Sequence, residues 1–338
     1  MSSPMSSPRA PRAGTVMRER EVTRNVNEPL ARARARAAAS AQPCAEMFRS
    51  MSEFDVGLLV GAGSFGRVHV AKHKISGRLV AIKSVSKASI VEAKQVRHII
   101  DERSIVIQMQ QAPFIVPLLG SFQDAACVFF VMEFIYGGDL YALACTQGGR
   151  SARFYAAQVI LSLEFLHPRG IMHRDIKPEN LLIAGDGYLR LTDLGFAKVV
   201  NGRTYTLCGT PDYMALEVVR RRMVPGWKEG YTLDAAWWSL GCLVFEMLSG
   251  VPPFYTGGTA ADTYVKILDP ASLSTLSMAH FSPAARDLVT RLLRDAPPFR
   301  PTLDERDPAA NFGALKAVQP LSHPLVLTPQ KQAQFKCC

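Results

Sequence analysis

One short segment of the chain brings several chemically active side chains together. It reads HRDIKPEN from His173 to Asn180, and the tripeptide DLG begins thirteen residues later at Asp193. The two pieces supply carboxylates, an ammonium group and an amide at fixed spacing. Phosphoryl transfer depends on positioning and charge neutralisation more than on covalent chemistry, and such groups provide both. The segment therefore favours a phosphotransferase over other classes of enzyme.

Each of these groups has an expected role in that chemistry. We expect Asp175 to accept the proton of a substrate hydroxyl and Lys177 to offset charge on the γ-phosphate. We expect Asn180 and Asp193 to hold the magnesium ions. Any one of these residues could occur by chance, but the whole set in this order is not plausibly accidental.

A glycine-rich segment upstream predicts a phosphate-binding loop. It reads GAGSFGRV from Gly61 to Val68. Glycines let a backbone approach phosphates closely and present N–H groups to them. Similar glycine spacing also marks dinucleotide-binding folds, but there the loop must open a helix. Here the sequence VHVA follows, which predicts a strand. The loop therefore joins two strands, and the dinucleotide alternative is disfavoured.

A lysine on the next predicted strand completes the set. Lys83 ends the sequence VAIK, and an isolated lysine in a strand is usually a solvated edge charge. Glu102, however, lies on the following predicted helix, within reach of this lysine. Its carboxylate can fix the ammonium group against the α- and β-phosphates. We therefore predict Lys83 and Glu102 as catalytic residues, together with Asp175 and Lys177.

Composition supports a globular enzyme with a basic leader. The chain has 338 residues, 48% of them hydrophobic, which is enough to bury a sizeable core. The net charge is +10, and about half of the excess lies in residues 1–45, which carry eight arginines against three glutamates. We predict a disordered basic leader there. No aromatic residue is interleaved with these arginines, so a nucleic-acid partner is not expected.

The cysteines and the apolar segments bear on location. Seven cysteines form no CxxC pair, which favours reduced thiols and a location in the cytoplasm, with the nucleus as an alternative. The most apolar stretch, from Ala235 to Leu248, is too short to span a bilayer, so no transmembrane segment is predicted. Membrane contact through the leader or through Cys337-Cys338 is not expected, because the prenylation pattern is absent. Organelle import remains a minor alternative.

The pattern of apolar residues divides the chain into two parts. From Phe54 to about Lys87, alternating apolar residues and glycines predict an antiparallel sheet. A helix is predicted from Val91 to Gln111 and is closed by Pro113, and two further strands are predicted at 116–122 and 127–134. Longer helical segments follow, at 153–166, 235–249 and 283–293. The sequence predicts an α+β fold with a small β-rich lobe and a larger helical lobe.

These motifs, in this order, resemble the signature elements of protein kinases. Between about residues 54 and 254 the chain is similar to the cyclic-AMP-dependent catalytic subunits within the AGC group. The segments that carry this resemblance are PFIVPLLGSFQD, VMEFIYGGDL, RFYAAQVILSLEFLH, RDIKPENLLI, LTDLGFAKVVNGRTYTLCGTPDY and SGVPPF. The resemblance implies a bilobal kinase domain at 54–325, with an N-lobe at 54–133, a C-lobe at 134–325 and a short tail at 326–338.

The resemblance also implies the cofactors and the nucleotide-binding residues. ATP and Mg²⁺ are the expected cofactors, and the adenine is expected between apolar side chains of the two lobes. The residues predicted to contact ATP are Gly61, Ala62, Gly63, Ser64, Phe65, Gly66, Val68, Ala81, Lys83, Met132, Glu133, Ile135 and Leu182.

Regulation and substrate choice are implied in the same way. Phosphorylation of the activation-loop residue Thr206 is expected to order the loop by pairing with His98, Arg174 and Lys198. The family prefers arginines two and three residues before the phosphoacceptor, and guanidinium groups pair bidentately with carboxylates. The residues predicted to bind the substrate are the acids Asp139, Glu179, Asp212 and Glu246, with Leu207, Pro211 and Met214 as the apolar socket for the residue after the phosphoacceptor.

The chain departs from the family pattern at several supporting positions. Leu194 replaces a phenylalanine and Leu216 replaces a proline, although Glu217 remains and is predicted to pair with Arg300. Ala236 stands where the family has an aspartate that anchors the catalytic loop. Its loss leaves donors unsatisfied at a cost of about 1–3 kcal/mol unless water takes its place. The segment from Arg220 to Tyr231 is longer than in the family. The tail also lacks a recognisable paired-phenylalanine motif.

The sequence thus predicts a basophilic serine/threonine protein kinase acting on protein substrates with arginine-rich sites. A separate cyclic-nucleotide-binding regulatory subunit is a further expectation from the family. Another AGC kinase with different control is the alternative within enzymes. From a different class, the departures at Ala236 and Leu216 leave open a pseudokinase that serves as a scaffold with weak or no catalysis.

Overall fold

A computed structural model describes residues 48–63, 66–109, 112, 114–142 and 152–294, without the side chain of His98. The predicted leader at 1–45 and the tail at 326–338 lie outside these ranges, as do residues 295–325 of the predicted C-lobe. The proposed domain boundaries therefore stay predictions. Among the described residues, no helix is both long and apolar enough to cross a membrane.

The N-terminal lobe is built on one antiparallel sheet. Its five strands are β1 (Phe54–Ala62), β2 (Gly66–His73), β3 (Leu79–Ser86), β4 (Leu118–Gln123) and β5 (Cys127–Glu133). They are arranged in the order β1-β2-β3-β5-β4, so β3 lies at the centre. The two later strands begin or end within two residues of their predicted limits.

The central strand sends its side chains to two faces with different tasks. Val80 and Ile82 are fully buried in an apolar cluster on one face, which also contains Phe54 and Phe122. Lys83 lies on the opposite face, because successive side chains of a strand alternate. The cluster thus anchors the strand through one face and leaves the other free to carry the lysine.

The helical region after the sheet differs from its prediction. The predicted helix at 91–111 is two helices, α1 (Lys87–Glu92) and α2 (Val96–Gln108). The break falls at Lys94, whose φ of 57° lies in the left-handed region that a continuous right-handed helix cannot contain. Ser86 caps α1 by accepting from the Ser89 N–H group, so the first helix begins directly after β3.

The C-terminal lobe is mainly helical. Its helices are α3 (Ala152–Leu166), α4 (Leu216–Met223), α5 (Ala235–Ser249), α6 (Ala260–Leu268), α7 (Ser272–Thr275) and α8 (Pro283–Leu292). Two small ribbons accompany them, β6 (Ile171–Met172) with β9 (Lys198–Val199), and β7 (Leu181–Ile183) with β8 (Leu189–Leu191). These ribbons carry the catalytic loop and the segment around Asp193.

Helix α5 forms the centre of this lobe. Nearly all of its residues are buried, which is expected of a helix that is apolar all round. Gly241 allows close approach of α8, since a Cβ atom there would lie 2.8 Å from the Leu293 side chain. The small antiparallel lobe and the larger helical lobe confirm the predicted α+β bilobal fold.

Candidate active site

Three charged side chains from separate elements meet between the lobes. The Nζ atom of Lys83 on β3 lies 2.7 Å from Oε1 of Glu102 on α2 and 2.8 Å from Oδ1 of Asp193 after β8. The Glu102 side chain is only 4% exposed, whereas that of Asp193 is 43% exposed and faces the cleft. The structure thus brings together two of the four predicted catalytic residues and one predicted metal ligand. We call these three residues the ionic cluster.

The charged groups of the ionic cluster shift one another's pKa values. Burial favours the neutral amine of Lys83, but the carboxylates of Glu102 and Asp193 outweigh it and hold the pKa of that lysine above its ordinary value. The lysine charge in turn lowers the pKa of Asp193 to about 2. Burial raises the pKa of Glu102, and the contact with Lys83 opposes this shift. At neutral pH the cluster therefore presents an ammonium group and an ionised Asp193 to the cleft.

The segment around Asp193 is shaped to support this arrangement. Asp193 has a φ of 56°, which aspartate tolerates better than most residues, and its Oδ1 atom accepts from the Gly195 N–H group at 3.3 Å. A Cβ atom at Gly195 would lie 3.3 Å from Nζ of Lys83, so glycine leaves room for the ion pair. Leu194 is buried, so the leucine that replaces the family's phenylalanine still places an apolar side chain in the core.

Asp175 is held by four polar contacts. Its Oδ1 atom accepts from the backbone N–H group of Thr210 at 2.9 Å and from the hydroxyl of that residue at 2.7 Å. Its Oδ2 atom lies 3.0 Å from Nζ of Lys177 and accepts from Nδ2 of Asn180 at 3.0 Å. Lys177 also donates to the Thr210 hydroxyl at 2.8 Å. The carboxylate is thus oriented by groups from both the catalytic loop and the activation segment.

His173 fixes the start of the catalytic loop. It is fully buried, and its Nε2 atom lies 3.0 Å from the backbone oxygen of Thr192. Burial lowers the pKa of this histidine, so the ring is neutral. Its Nδ1 atom then accepts from the Asp175 N–H group at 3.3 Å. The histidine therefore links the catalytic loop to the strand that leads to Asp193.

The donor set near the cleft fits magnesium. Asn180 uses its amide nitrogen for Asp175, which leaves its side-chain oxygen as a ligand. Asp193 is ionised at neutral pH and partly exposed. Among the described residues there is no cluster of three or more His, Cys, Asp and Glu side chains that could hold a metal. Mg²⁺ is usually bound by one or two carboxylates together with substrate phosphates, and Asp193 with the side-chain oxygen of Asn180 provides protein oxygens of that kind.

The predicted nucleotide-contacting residues share one face of the sheet. Val68 is directly opposite Lys83, and Ala81 is directly opposite Met132. Directly opposite residues of antiparallel strands lie on the same face. Because Ala81 and Lys83 are two positions apart, all four side chains line the cleft. The register thus assembles one wall of a nucleotide pocket.

The other predicted nucleotide contacts surround this wall. Gly66 lies so close to β3 that a Cβ atom would be 2.3 Å from the Ser84 oxygen, which accounts for a glycine there. Gly61 and Ala62 end β1, Gly63 follows, Glu133 ends β5, Ile135 is buried just beyond it, and Leu182 lies in β7. Ser64 and Phe65 lie outside the described residues.

The activation segment is held extended by the segment that precedes α5. Thr204 and Tyr231 exchange two backbone hydrogen bonds, at 2.9 and 3.0 Å. The Tyr231 hydroxyl also donates to the backbone oxygen of Thr206. Lys198 donates to the hydroxyl of Thr204 at 3.2 Å, and Arg174 donates to the backbone oxygen of Phe196. Two of the predicted partners of Thr206, Lys198 and Arg174, therefore lie on the activation segment or beside it. The side chain of the third, His98, lies outside the described residues.

The predicted substrate acids occupy different environments. Glu246 is buried on α5 and accepts from the Tyr213 hydroxyl. Burial, aided by the nearby charges of Glu179 and Asp212, raises its pKa to about 7. The Asp212 Oδ1 atom accepts from Thr263 at 3.3 Å, and that of Asp139 accepts from the Ala142 N–H group at 2.8 Å. The charges of Glu179 and Asp212 therefore act on the buried Glu246.

The predicted apolar socket and the predicted ion pair of Glu217 with Arg300 are only partly described. Leu207 is 39% exposed, Pro211 is half-buried and Met214 is buried. Glu217 is half-buried at the start of α4, but its predicted partner Arg300 lies outside the described residues. Both predictions stay open.

Ala236 lies beside a small cavity under the catalytic loop. The cavity has a volume of about 20 Å³, and its lining includes Arg174, Asp175 and Ala236. Arg174 has a φ of 71°, and its buried Nη1 atom has no hydrogen-bond partner among the described residues. Asp234 is no substitute for the missing aspartate, because its carboxylate accepts from Thr232 at 2.7 Å. A volume of this size holds about one water molecule.

Several contacts of the site were not predicted from the sequence. Thr210 binds Asp175, Tyr213 binds Glu246, and Tyr231 holds the activation segment. The first two belong to the segment TPDY that also contains the predicted Asp212, so proximity in sequence was the available signal. No sequence signal marked Tyr231, because its role depends on how the segment from Arg220 to Tyr231 packs against the activation segment.

The fold and the site together define a protein kinase domain. The Protein kinase domain family matches residues 54–309, so the chain belongs to that family. Among similar proteins, cAMP-dependent protein kinase type 3 of Saccharomyces cerevisiae is 44% identical over 247 residues, which cover 72% of this chain and 59% of that protein. The cAMP-dependent protein kinase catalytic subunit of Arthrobotrys oligospora is 46% identical over 222 residues, covering 65% and 41%.

A third relative extends the comparison along the chain. The cAMP-dependent protein kinase catalytic subunit of Schizosaccharomyces pombe is 42% identical over 270 residues, or 79% of this chain and 48% of that protein. These similarities confirm the predicted resemblance to the cyclic-AMP-dependent branch. The chain spans about half the length of the curated relatives it matches.

Proposed function

We propose that this protein is a serine/threonine protein kinase that transfers the γ-phosphate of Mg-ATP to a hydroxyl of another protein. The observation that carries the proposal is the convergence of Lys83, Glu102 and Asp193 within hydrogen-bond distance. The most distant pair, Lys83 and Asp193, is separated by 110 positions in sequence. Their assembly beside Asp175 provides the charge pattern that phosphoryl transfer needs.

Each residue of the cleft has a defined task in this proposal. Lys83, oriented by Glu102, binds the α- and β-phosphates. Asp193 and Asn180 would hold Mg²⁺, which neutralises negative charge on the phosphates when it is bound. Asp175 faces the substrate hydroxyl and takes its proton as the oxygen bonds to phosphorus and the bond to ADP breaks. Lys177 sits 3.0 Å from Asp175 and offsets charge on the transferred group.

The substrate site favours arginine before the phosphoacceptor. The carboxyl group of Glu246 lies close enough to those of Glu179 and Asp212 for their negative charges to raise its pKa. A guanidinium group entering there would meet acceptors for its forked donors and would relieve the repulsion among the acids. We therefore propose protein substrates with arginine-rich sites.

A peptide assay tests the activity directly. The full chain would be incubated with Mg-ATP labelled at the γ-phosphate and a peptide of sequence Arg-Arg-x-Ser-Leu, with Asp193→Ala as the inactive control. We expect labelled peptide only with the unaltered chain. Equal incorporation by both proteins would refute the kinase proposal. Peptides with alanine in place of each arginine test the basophilic proposal separately.

The scaffold alternative gains no support from the site. A pseudokinase loses groups that bind ATP or magnesium, whereas all six residues with catalytic or metal roles are present here. They form two contacting groups, Lys83 with Glu102 and Asp193, and Asp175 with Lys177 and Asn180. Control by a cyclic-nucleotide-binding regulatory subunit is a further proposal, suggested by the names of the relatives. Pull-down with such a subunit, with and without cyclic AMP, tests it. A cytoplasmic or nuclear location stays a prediction from the thiol chemistry.

A further inference from the structure

The longer segment after the activation segment begins with three consecutive arginines at the end of α4. Each guanidinium lies over an aromatic ring, and each ring comes from a different element. Arg220 lies 5.5 Å from the ring of Trp227, Arg221 lies 4.9 Å from that of Tyr205, and Arg222 lies 5.3 Å from that of Tyr264. Stacking of this kind holds a guanidinium in place and leaves its edge donors available.

Within the described ranges, no acid neutralises the charge of two of these arginines. In the part of the chain that the structure describes, neither Arg221 nor Arg222 has a carboxylate within 4.0 Å. Glu229, on the same loop, pairs instead with Arg203 at 3.9 Å. Arg222 is exposed and Arg221 is half-buried. Positioned but unpaired guanidinium groups at a surface are suited to bind an anionic partner.

The position of these arginines relates them to the peptide site. The Nε atom of Arg221 donates to the backbone oxygen of Tyr205 at 3.0 Å. Thr206 and then Leu207 follow directly, and Leu207 belongs to the predicted socket for the residue after the phosphoacceptor. Arg221 is therefore bonded to the segment that leads into this socket.

We infer that Arg221 and Arg222, the arginine patch, bind acidic side chains that follow the phosphoacceptor in the substrate. The inference rests on the proposed kinase function and adds a second charge preference to it. The acids Glu179, Asp212 and Glu246 select positive charge before the phosphoacceptor. The arginine patch selects negative charge after it, so the preferred substrate carries charge of opposite sign on its two sides.

Other anionic partners suit the patch less well. Nucleic-acid sites of this size use several exposed aromatic rings on which bases stack. Here the Tyr264 ring is buried, and the Tyr205 ring, although 53% exposed, has the Arg221 guanidinium over it. Binding to anionic membranes draws on clusters of about 4–8 basic residues. Two unpaired arginines beside a peptide groove fit a carboxylate-bearing peptide.

Peptides that differ only after the phosphoacceptor test the inference. Three peptides would share the sequence Arg-Arg-x-Ser-Leu and end in alanines, aspartates or lysines. With the full chain we expect the aspartate tail to lower KM by about threefold to fivefold relative to the alanine tail, and the lysine tail to raise it. The difference should shrink as salt is added, because exposed charges are screened.

A charge reversal distinguishes direct binding from a structural effect. Arg222→Glu should invert the preference, so that the lysine-tailed peptide becomes the better substrate. Arg221→Gln should reduce the advantage of the aspartate tail without inverting it. Arg78→Gln, which removes an exposed arginine from the β2–β3 connection, is the matched control and should leave the preference unchanged. Thermal unfolding and activity on the alanine-tailed peptide check that each variant is folded.

The outcomes separate this inference from the proposed function. If the alanine-tailed peptide is phosphorylated but all three tails give the same KM, the arginine patch is refuted and the kinase proposal stands. The patch is also refuted if Arg78→Gln changes the preference as much as Arg222→Glu. If none of the peptides is phosphorylated, the proposed function itself fails, and the inference with it.

Discussion

Two buried polar regions of the domain satisfy their charges in different ways. In the ionic cluster, Lys83 lies within 2.8 Å of the carboxylates of Glu102 and Asp193. Beneath the catalytic loop, the carboxylate of Glu246 has a phenol as its partner, and Nη1 of Arg174 has none. We call this second region, which includes Ala236 and Tyr213, the floor of the catalytic loop.

The difference shows in the pKa values of the acids. A lysine beside Asp193 lowers its pKa to about 2, whereas burial without a cation raises the pKa of Glu246 to about 7. Lys83 and Asp193 of the ionic cluster are therefore ionised throughout the physiological range. The floor retains a group that changes charge near neutral pH and a cavity that a larger side chain could fill. Among the described residues, the first region pairs its lysine with two carboxylates, although Oε2 of Glu102 has no hydrogen-bond partner. The second region contains an acid without a cation beside it and space for a larger side chain.

The largest expected effect comes from removing a charge of the ionic cluster. Asp193→Asn should lower kcat on the order of a thousandfold, because the neutral amide is a weaker magnesium ligand and a weaker partner for Lys83. Steady-state kinetics with the Arg-Arg-x-Ser-Leu peptide measure this loss. Asp287→Asn, at an exposed acid on α8, is the matched control. Activity close to that of the unaltered chain in Asp193→Asn would contradict the assigned role.

Loss of the cation should also destabilise the fold. Lys83→Met leaves Glu102 buried without its cation, and we expect about 3 kcal/mol lower free energy of unfolding, as measured by denaturant titration. The double variant Lys83→Met with Glu102→Leu should recover most of this stability and no activity. Lys72→Met, at an exposed lysine on β2, serves as control. A stable single variant would show that the ion pair contributes nothing to folding.

Titration of Glu246 sharpens the contrast between the two regions. An acid with a pKa of about 7 is mostly neutral at pH 6 and mostly ionised at pH 8. The KM for the Arg-Arg-x-Ser-Leu peptide should therefore fall by up to about tenfold as the pH rises across this window. In Glu246→Gln, and with peptides that lack the arginine bound there, the pH profile of KM should be flat. An identical profile in the unaltered chain and in Glu246→Gln would refute the assignment.

Filling the cavity of the floor should have the smallest effect. Ala236→Asp places a carboxylate in the cavity that Arg174 also lines, and we expect a gain of about 1 kcal/mol in unfolding free energy. Differential scanning calorimetry measures it, and Ala236→Asn separates charge from shape. No gain in stability or in rate would show that the site does not need the anchor.

The chemical groups of the active site were largely predictable from the sequence. HRDIKPEN, DLG and VAIK carry their residues at short fixed spacing, so each motif names its own side chains. The two-lobed fold was predictable for a similar reason, because alternating and helical apolar patterns are local properties of the chain. The error at 91–111 came from Lys94, whose left-handed backbone ends a helix that its neighbours favour.

The contacts that set charge and position depended on the tertiary structure. Glu246 lies in the apolar helix α5, and only packing determined that a phenol, rather than a cation, would be its partner. The stacking of Arg222 on Tyr264 and the bonds of Tyr231 to the activation segment likewise join residues far apart in sequence. Sequence motifs identify the chemical groups of the site, because the reaction requires those groups at fixed spacing along the chain. Burial and pairing, which decide the charge of those groups, arise only when distant segments are brought together.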